Sequence, residues 1–161
     1  MDIGTTVKGV DISPDGKLIA SASVDGRVKI WRIDGILEGE LADPQTVNPI
    51  GVECQPTKSD RCQPLAHQTT VNTVSFSPDG QRLVSTSADR TIKLWSVDGK
   101  LIETFAGDGA EIIEAKFSPD GQLIASTAED QTVKLWRSVA LYSKPCLKKV
   151  LQSHLVLTVN C

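Results

Sequence analysis

The sequence predicts an all-β fold of repeated four-stranded antiparallel units. Three observations predict it. The tetrapeptide Ser-Pro-Asp-Gly occurs at 13–16, 77–80 and 118–121. A tryptophan follows each proline by 17 residues, at Trp31, Trp95 and Trp136. The segments between these marks are short and rich in β-branched or apolar residues.

Each element of the unit has a physical reason. Ser-Pro-Asp-Gly places a turn former first, proline with its preset φ second and glycine fourth, which suits a type I turn between antiparallel strands. The strands before it are Val7 to Ile12, Val71 to Phe76 and Ile112 to Phe117. Those after it are Leu18 to Ser23, Leu83 to Ser87 and Leu123 to Thr127. A second polar turn carrying Asp25, Asp89 or Asp130 leads into a third strand that alternates toward Trp31, Trp95 or Trp136. In the first two units Asp34-Gly35 and Asp98-Gly99 are hairpin signals for a fourth strand, near Leu37 to Leu41 and Leu101 to Phe105.

A 41-residue spacing from Trp95 to Trp136, filled by four short strands, resembles the WD-repeat β-propeller family over nearly all of residues 1–152. The dipeptide that names the family is missing, since Arg32, Ser96 and Arg137 follow the tryptophans. The resemblance implies a partial β-propeller: blade 1 at 1–41, an insertion at 42–66, blade 2 at 67–105, and blade 3 at 106–152 with an irregular outer strand near Leu147 to Leu151. Residues 153–161 would begin a fourth blade or form a tail. The insertion follows from the spacing of Trp31 and Trp95, which exceeds 41 by 23, and its prolines and polar residues suit a long irregular loop. Such a loop is either functional or a tolerated excursion, because lengthening a loop costs little.

Blade 2 contains His67, Ser85 and Asp89, which a search for nucleophilic enzymes would select, yet no Gly-x-Ser-x-Gly elbow presents Ser85. The family resemblance implies another role: with Trp95 they form a hydrogen-bonded chain that satisfies buried polar groups. Ser21, Asp25 and Trp31 repeat part of it in blade 1, and Ser126, Asp130 and Trp136 in blade 3. There Ile3 and Asp108 take the histidine position. An approach of Asp108 to Asp130 would raise one carboxyl pKa, admit water or, less readily, hold a metal.

The same resemblance implies a partner-binding face at Thr6, Lys8 and Val24 of blade 1, Thr70, Asn72 and Ala88 of blade 2, and Glu111, Ile113 and Glu129 of blade 3. None is the Trp, Tyr or clustered Arg that usually anchors a hot spot.

Composition narrows the function classes. With 161 residues, 40% hydrophobic and 23% charged, and a net charge of -3, the chain is globular and carries no basic bias toward nucleic acid. No basic segment followed by an apolar stretch opens it, and no run approaches the ~20 apolar residues of a membrane span. A cytoplasmic protein is expected. Cys54 and Cys62 share one segment and Cys146 and Cys161 lie near the end; without a secretory signal free thiols are expected, a Cys54–Cys62 bridge being the alternative.

The leading functional expectation is a non-enzymatic scaffold or regulatory module that binds protein partners, without cofactor or metal. The alternatives are a remnant of a larger WD-repeat protein without activity of its own, and a propeller enzyme with a site in the central channel. Three blades are fewer than the roughly four to eight that close a ring, so a longer parent or self-association is expected. Leu155 to Cys161 would be the first strand of a further blade.

Overall fold

A computed structural model describes residues 4–45, 65–107, 109–138, 148–150 and 158–159. Among them there is no helix, and the strands form three antiparallel sheets. The first holds β1 (Val7–Ile12), β2 (Leu18–Ser23), β3 (Val28–Arg32) and β4 (Leu37–Leu41) in sequence order. The second holds β5 (Val71–Phe76), β6 (Arg82–Ser87), β7 (Thr91–Ser96) and β8 (Leu101–Ala106), also in sequence order. In the third, β9 (Ile112–Phe117), β10 (Leu123–Ala128) and β11 (Val133–Arg137) are followed by β12 (Lys148–Val150) and β13 (Thr158–Val159). The architecture is a partial β-propeller of the WD-repeat type.

The turn chemistry is the same in each sheet. The N–H of Gly16, Gly80 and Gly121 donates to the carbonyl of Ser13, Ser77 and Ser118 at 2.8 Å each time, which closes the four-residue turn. Each glycine has φ near +70°, a left-handed conformation that the absent Cβ makes inexpensive. The serine hydroxyl donates to Asp15, Asp79 or Asp120, and accepts from the N–H of Leu18, Arg82 or Leu123. The tetrapeptide thus satisfies its own polar atoms where a strand pair ends.

The sheets stack face to face. Ala20, Ala22, Val28, Ile30 and Leu41 of the first sheet join Val71, Val74, Phe76, Leu83 and Trp95 of the second in one buried cluster. Val84, Ile92, Leu94 and Phe105 join Ile112, Ala115, Ile124 and Trp136 in the next. The Phe105 and Trp136 rings lie 5.2 Å apart and tilted, a favourable arrangement for aromatic quadrupoles. The inner strands β1 and β5 come so close that a Cβ on Gly9 would sit 3.1 Å from the Asn72 carbonyl oxygen.

Several expectations lie outside the described residues: Ile3, Asp108, the four cysteines, and residues 46–64 of the insertion. Within Leu155 to Cys161, Thr158–Val159 pair with β12 at the outer edge of the third sheet, and the remaining residues lie outside the description.

Candidate functional site

The structure brings His67, Ser85, Asp89 and Trp95 into one continuous chain of hydrogen bonds. Ser85 stands on β6, opposite Lys93 of β7, so strand register sets its hydroxyl beside the face that carries Trp95. Trp95 Nε1 donates to Ser85 Oγ at 2.8 Å. His67 Nε2 lies 2.7 Å from the same hydroxyl, and His67 Nδ1 lies 3.0 Å from Asp89 Oδ2. An ionised carboxylate can only accept, so Nδ1 carries the proton directed at Asp89; in a neutral ring Nε2 is then an acceptor, and Ser85 donates to it while accepting from the Trp95 indole. A neutral imidazole accounts for every proton in this chain.

Electrostatics agree with that assignment. His67 is fully buried, and burial pushes its pKa below the ordinary 6.5, against the opposing hydrogen bond to Asp89. Burial alone would raise the Asp89 carboxyl. Hydrogen bonds from His67, Thr91 and the Gln68 amide outweigh burial and hold it well below the usual carboxylate range. Ser85 and Trp95 are also fully buried.

The other two sheets repeat the first link. Trp31 Nε1 donates to Ser21 Oγ at 3.0 Å, and Trp136 Nε1 to Ser126 Oγ at 2.8 Å. Asp25 accepts from Ser23 Oγ at 2.6 Å and lies 3.5 Å from Arg27 Nε. Asp130 accepts from the Thr132 hydroxyl and amide.

The nine positions of the expected partner face lie at one end of the sheets. Val24, Ala88 and Glu129 each donate their N–H at 3.0 Å to the carbonyl of Thr6, Thr70 and Glu111, so two candidate positions are fastened together in every unit. Asn72 Nδ2 crosses to the third sheet, donating to Glu111 Oε1 at 2.7 Å and to the Ile112 carbonyl at 2.9 Å. Thr70 Oγ1 likewise donates to the Val24 carbonyl of the first sheet. Thr6, Lys8, Ile113 and Glu129 are exposed, and Val24, Thr70, Asn72, Ala88 and Glu111 are half-buried.

Two polar arrangements escape a reading by sequence. Lys93 Nζ donates to Asp43 Oδ2 at 2.6 Å and to the Ala66 carbonyl at 2.7 Å, and the Asp43 amide donates to the Leu65 carbonyl at 3.0 Å. The ends of the insertion are therefore held together over a buried ion pair. Alternation places Lys93 on the same face as buried Trp95, and that was the available signal. Asp11 Oδ2 accepts from the Phe76 N–H at 2.7 Å, joining β1 to β5. A groove of about 200 Å³ lies between β4 and the β7–β8 turn, lined by Glu38, Gly39, Glu40, Val97 and Asp98 among others. Among the described residues, no three His, Cys, Asp or Glu side chains are placed to share a metal ion.

Three antiparallel sheets, two of four strands and one of five, with an indole–hydroxyl link inside each, define a WD-repeat propeller protein. The chain belongs to the WD-repeat family: the family described as "WD domain, G-beta repeat" matches residues 4–32, 60–96 and 99–137. It is 32% identical over 104 residues to Protein HIR1 of Kluyveromyces lactis, a match covering 65% of this chain and 12% of that protein. It is 35% identical over 99 residues to the U4/U6 small nuclear ribonucleoprotein PRP4-like protein of Arabidopsis thaliana, covering 62% of this chain and 14% of that protein. The chain thus matches a small part of these curated relatives.

Proposed function

We propose that this chain is a non-enzymatic module that binds protein partners through the end of the sheets bearing Thr6, Lys8, Val24, Thr70, Asn72, Ala88, Glu111, Ile113 and Glu129. The observation that carries this reading is the backbone link repeated at that end, Val24 to Thr6, Ala88 to Thr70 and Glu129 to Glu111. It fixes the loop backbones at an end where Thr6, Lys8, Ile113 and Glu129 are exposed, an arrangement on which binding surfaces are commonly built.

The Ser85–His67–Asp89 chain supports the non-enzymatic part. A nucleophile must be reached by substrate, and its base must have a free route to the reacting proton. Here the hydroxyl and the imidazole are fully buried, and the hydroxyl is already shared between Trp95 and His67. We read the chain as an internal brace for the loops.

One relative is named for a small nuclear ribonucleoprotein, which makes it part of a multi-component particle. Membership of an assembly is the reading we extend to this chain. That name lends no support to the cytoplasmic expectation. Among the described residues no helix is long and apolar enough to cross a membrane.

The test compares proteins retained by the immobilised chain, by a Thr6→Arg, Lys8→Glu, Glu129→Lys variant, and by a Lys100→Glu control at the opposite end of the second sheet. A discrete set lost only with the triple variant is the expected result. Identical retention by all three would overturn the partner face. An unfolded chain by circular dichroism would favour the inactive-remnant reading instead.

A further inference from the structure

The turn between the second and third strands of each sheet contains one left-handed residue. Gly26 has φ +84°, Arg90 φ +71° and Gln131 φ +65°. Their N–H groups donate to the carbonyls of Ser23, Ser87 and Ala128, so the three turns share one geometry. Glycine is the residue this conformation favours, because a Cβ crowds the backbone there. The first sheet follows that preference: Gly26 is buried, and the His67 carbonyl oxygen fills the space a Cβ would need. In the second sheet the roles are exchanged. Gly107 stands where His67 does, its N–H donating to the Arg90 carbonyl at 2.8 Å, and the side chain is carried by Arg90, which is exposed. A residue held against its backbone preference points to a task for its side chain. Gln131 shows the same strain, and the charge of the guanidinium separates the two.

That charge is not answered within the chain. Arg27 reaches Glu40 at 2.7 Å, Arg32 reaches Asp34 at 2.5 Å, and Arg82 reaches the Ser138 carbonyl at 2.9 Å. The Arg90 guanidinium makes no such contact among the described residues. The neighbouring Asp89 carboxylate is turned inward, engaged by His67 Nδ1, the Gln68 amide, and the amide and hydroxyl of Thr91. We propose that Arg90 anchors the partner-binding end and that the partner presents to it an acidic, carboxylate-bearing segment of protein. The proposal rests on the binding reading above and adds to it a residue and a chemistry. Arg90 lies in the same turn as Ala88, whose N–H is fastened to Thr70, and its own N–H and carbonyl are both hydrogen-bonded, so the side chain projects from a fixed backbone. Arginine is favoured at the centre of binding surfaces, and its planar fork matches a carboxylate with two parallel hydrogen bonds.

Fluorescein-labelled oligoglutamate is titrated with the purified chain and followed by anisotropy, with oligolysine and oligouridylate as comparisons. The chain is expected to bind oligoglutamate, and Arg90→Gly to weaken that binding by about tenfold or more, as loss of a hot-spot residue does. Arg90→Lys, which keeps the charge without the fork, falls between the two. Arg90→Gly also raises the urea midpoint, because glycine accepts the left-handed conformation. Gln131→Gly raises the midpoint in the same way and leaves binding unchanged. Stability gained together with binding lost is a combination that a merely structural Arg90 would not give. The proposal is overturned if the unaltered chain does not bind oligoglutamate or binds oligolysine or oligouridylate more tightly. Equal binding by Arg90→Gly, or a lowered midpoint in that variant, overturns it as well and leaves the partner face standing. Identical protein retention in the comparison of the triple variant with its control counts against that face alone.

Discussion

The Lys93 ammonium lies 2.6 Å from the Asp43 carboxylate, although the two residues are remote in sequence and both side chains are shielded from solvent. Burial would raise the Asp43 carboxyl, and the Lys93 hydrogen bond together with the Gln45 amide more than reverses it, holding the carboxyl below its ordinary range. Breaking such a pair leaves an uncompensated buried charge. Lys93→Met is expected to cost about 3–5 kcal/mol in chemical denaturation. Adding Asp43→Leu should recover part of that loss, and a double variant no more stable than Lys93→Met would contradict the coupling.

Gly26 tests how closely the first two sheets are joined. Its φ is +84°, a Cβ there would fall 2.5 Å from the His67 carbonyl oxygen, and its own carbonyl accepts from the His67 N–H. Gly16 shares the left-handed conformation but has open space around it. Gly16→Ala should cost only the left-handed penalty, about 1–2 kcal/mol. Gly26→Ala should cost clearly more, as measured by the urea midpoint, and equal losses would show that the clash is relieved without consequence.

Ser85 joins two buried nitrogens, whereas Ser21 accepts from the indole of Trp31. Leaving a buried polar group unsatisfied costs about 1–3 kcal/mol. Ser85→Ala is therefore expected to destabilise more than Ser21→Ala. The reverse order in thermal unfolding would mean that the His67 link contributes little.

Acid should weaken the fold through His67. Because burial lowers its folded pKa below 6.5, the unfolded chain takes up the proton first as pH falls; stability is full above 6.5 and declines below it. Asp89, also held low when folded, adds a further loss once pH falls below its ordinary 3.8. His67→Asn should remove most of the slope between pH 6.5 and about 5 while lowering stability at neutral pH. A variant with an unchanged slope would assign the dependence elsewhere.

Much of this architecture is legible in the sequence because one turn tetrapeptide and one tryptophan fix the register of each unit. The bounds of β1, β2, β5 and β9 coincide with the apolar runs beside those marks, and β6 begins only one residue before the expected Leu83, at Arg82. Contacts between units were not legible. The reach of Asp11 to the Phe76 amide and of Asn72 to Glu111 depends on how neighbouring sheets stack, and spacing within one unit carries no information about that. Asp43 was hidden for a different reason: composition assigned it to the irregular insertion, where a buried carboxylate is not expected. Its partner Lys93 was the better clue, being a charged residue on the face that buries a tryptophan.

On the proposed reading, the Ser85, His67 and Asp89 side chains brace a binding scaffold and take no part in catalysis. The most direct test is the titration of the His67 imidazole by NMR, assigned by comparison with His67→Asn. A neutral ring with its proton on Nδ1 and a pKa below 6.5 is the expected result. A ring that titrates at or above 6.5 and exchanges freely with solvent would contradict it, because the imidazole would then be accessible and able to act as a base.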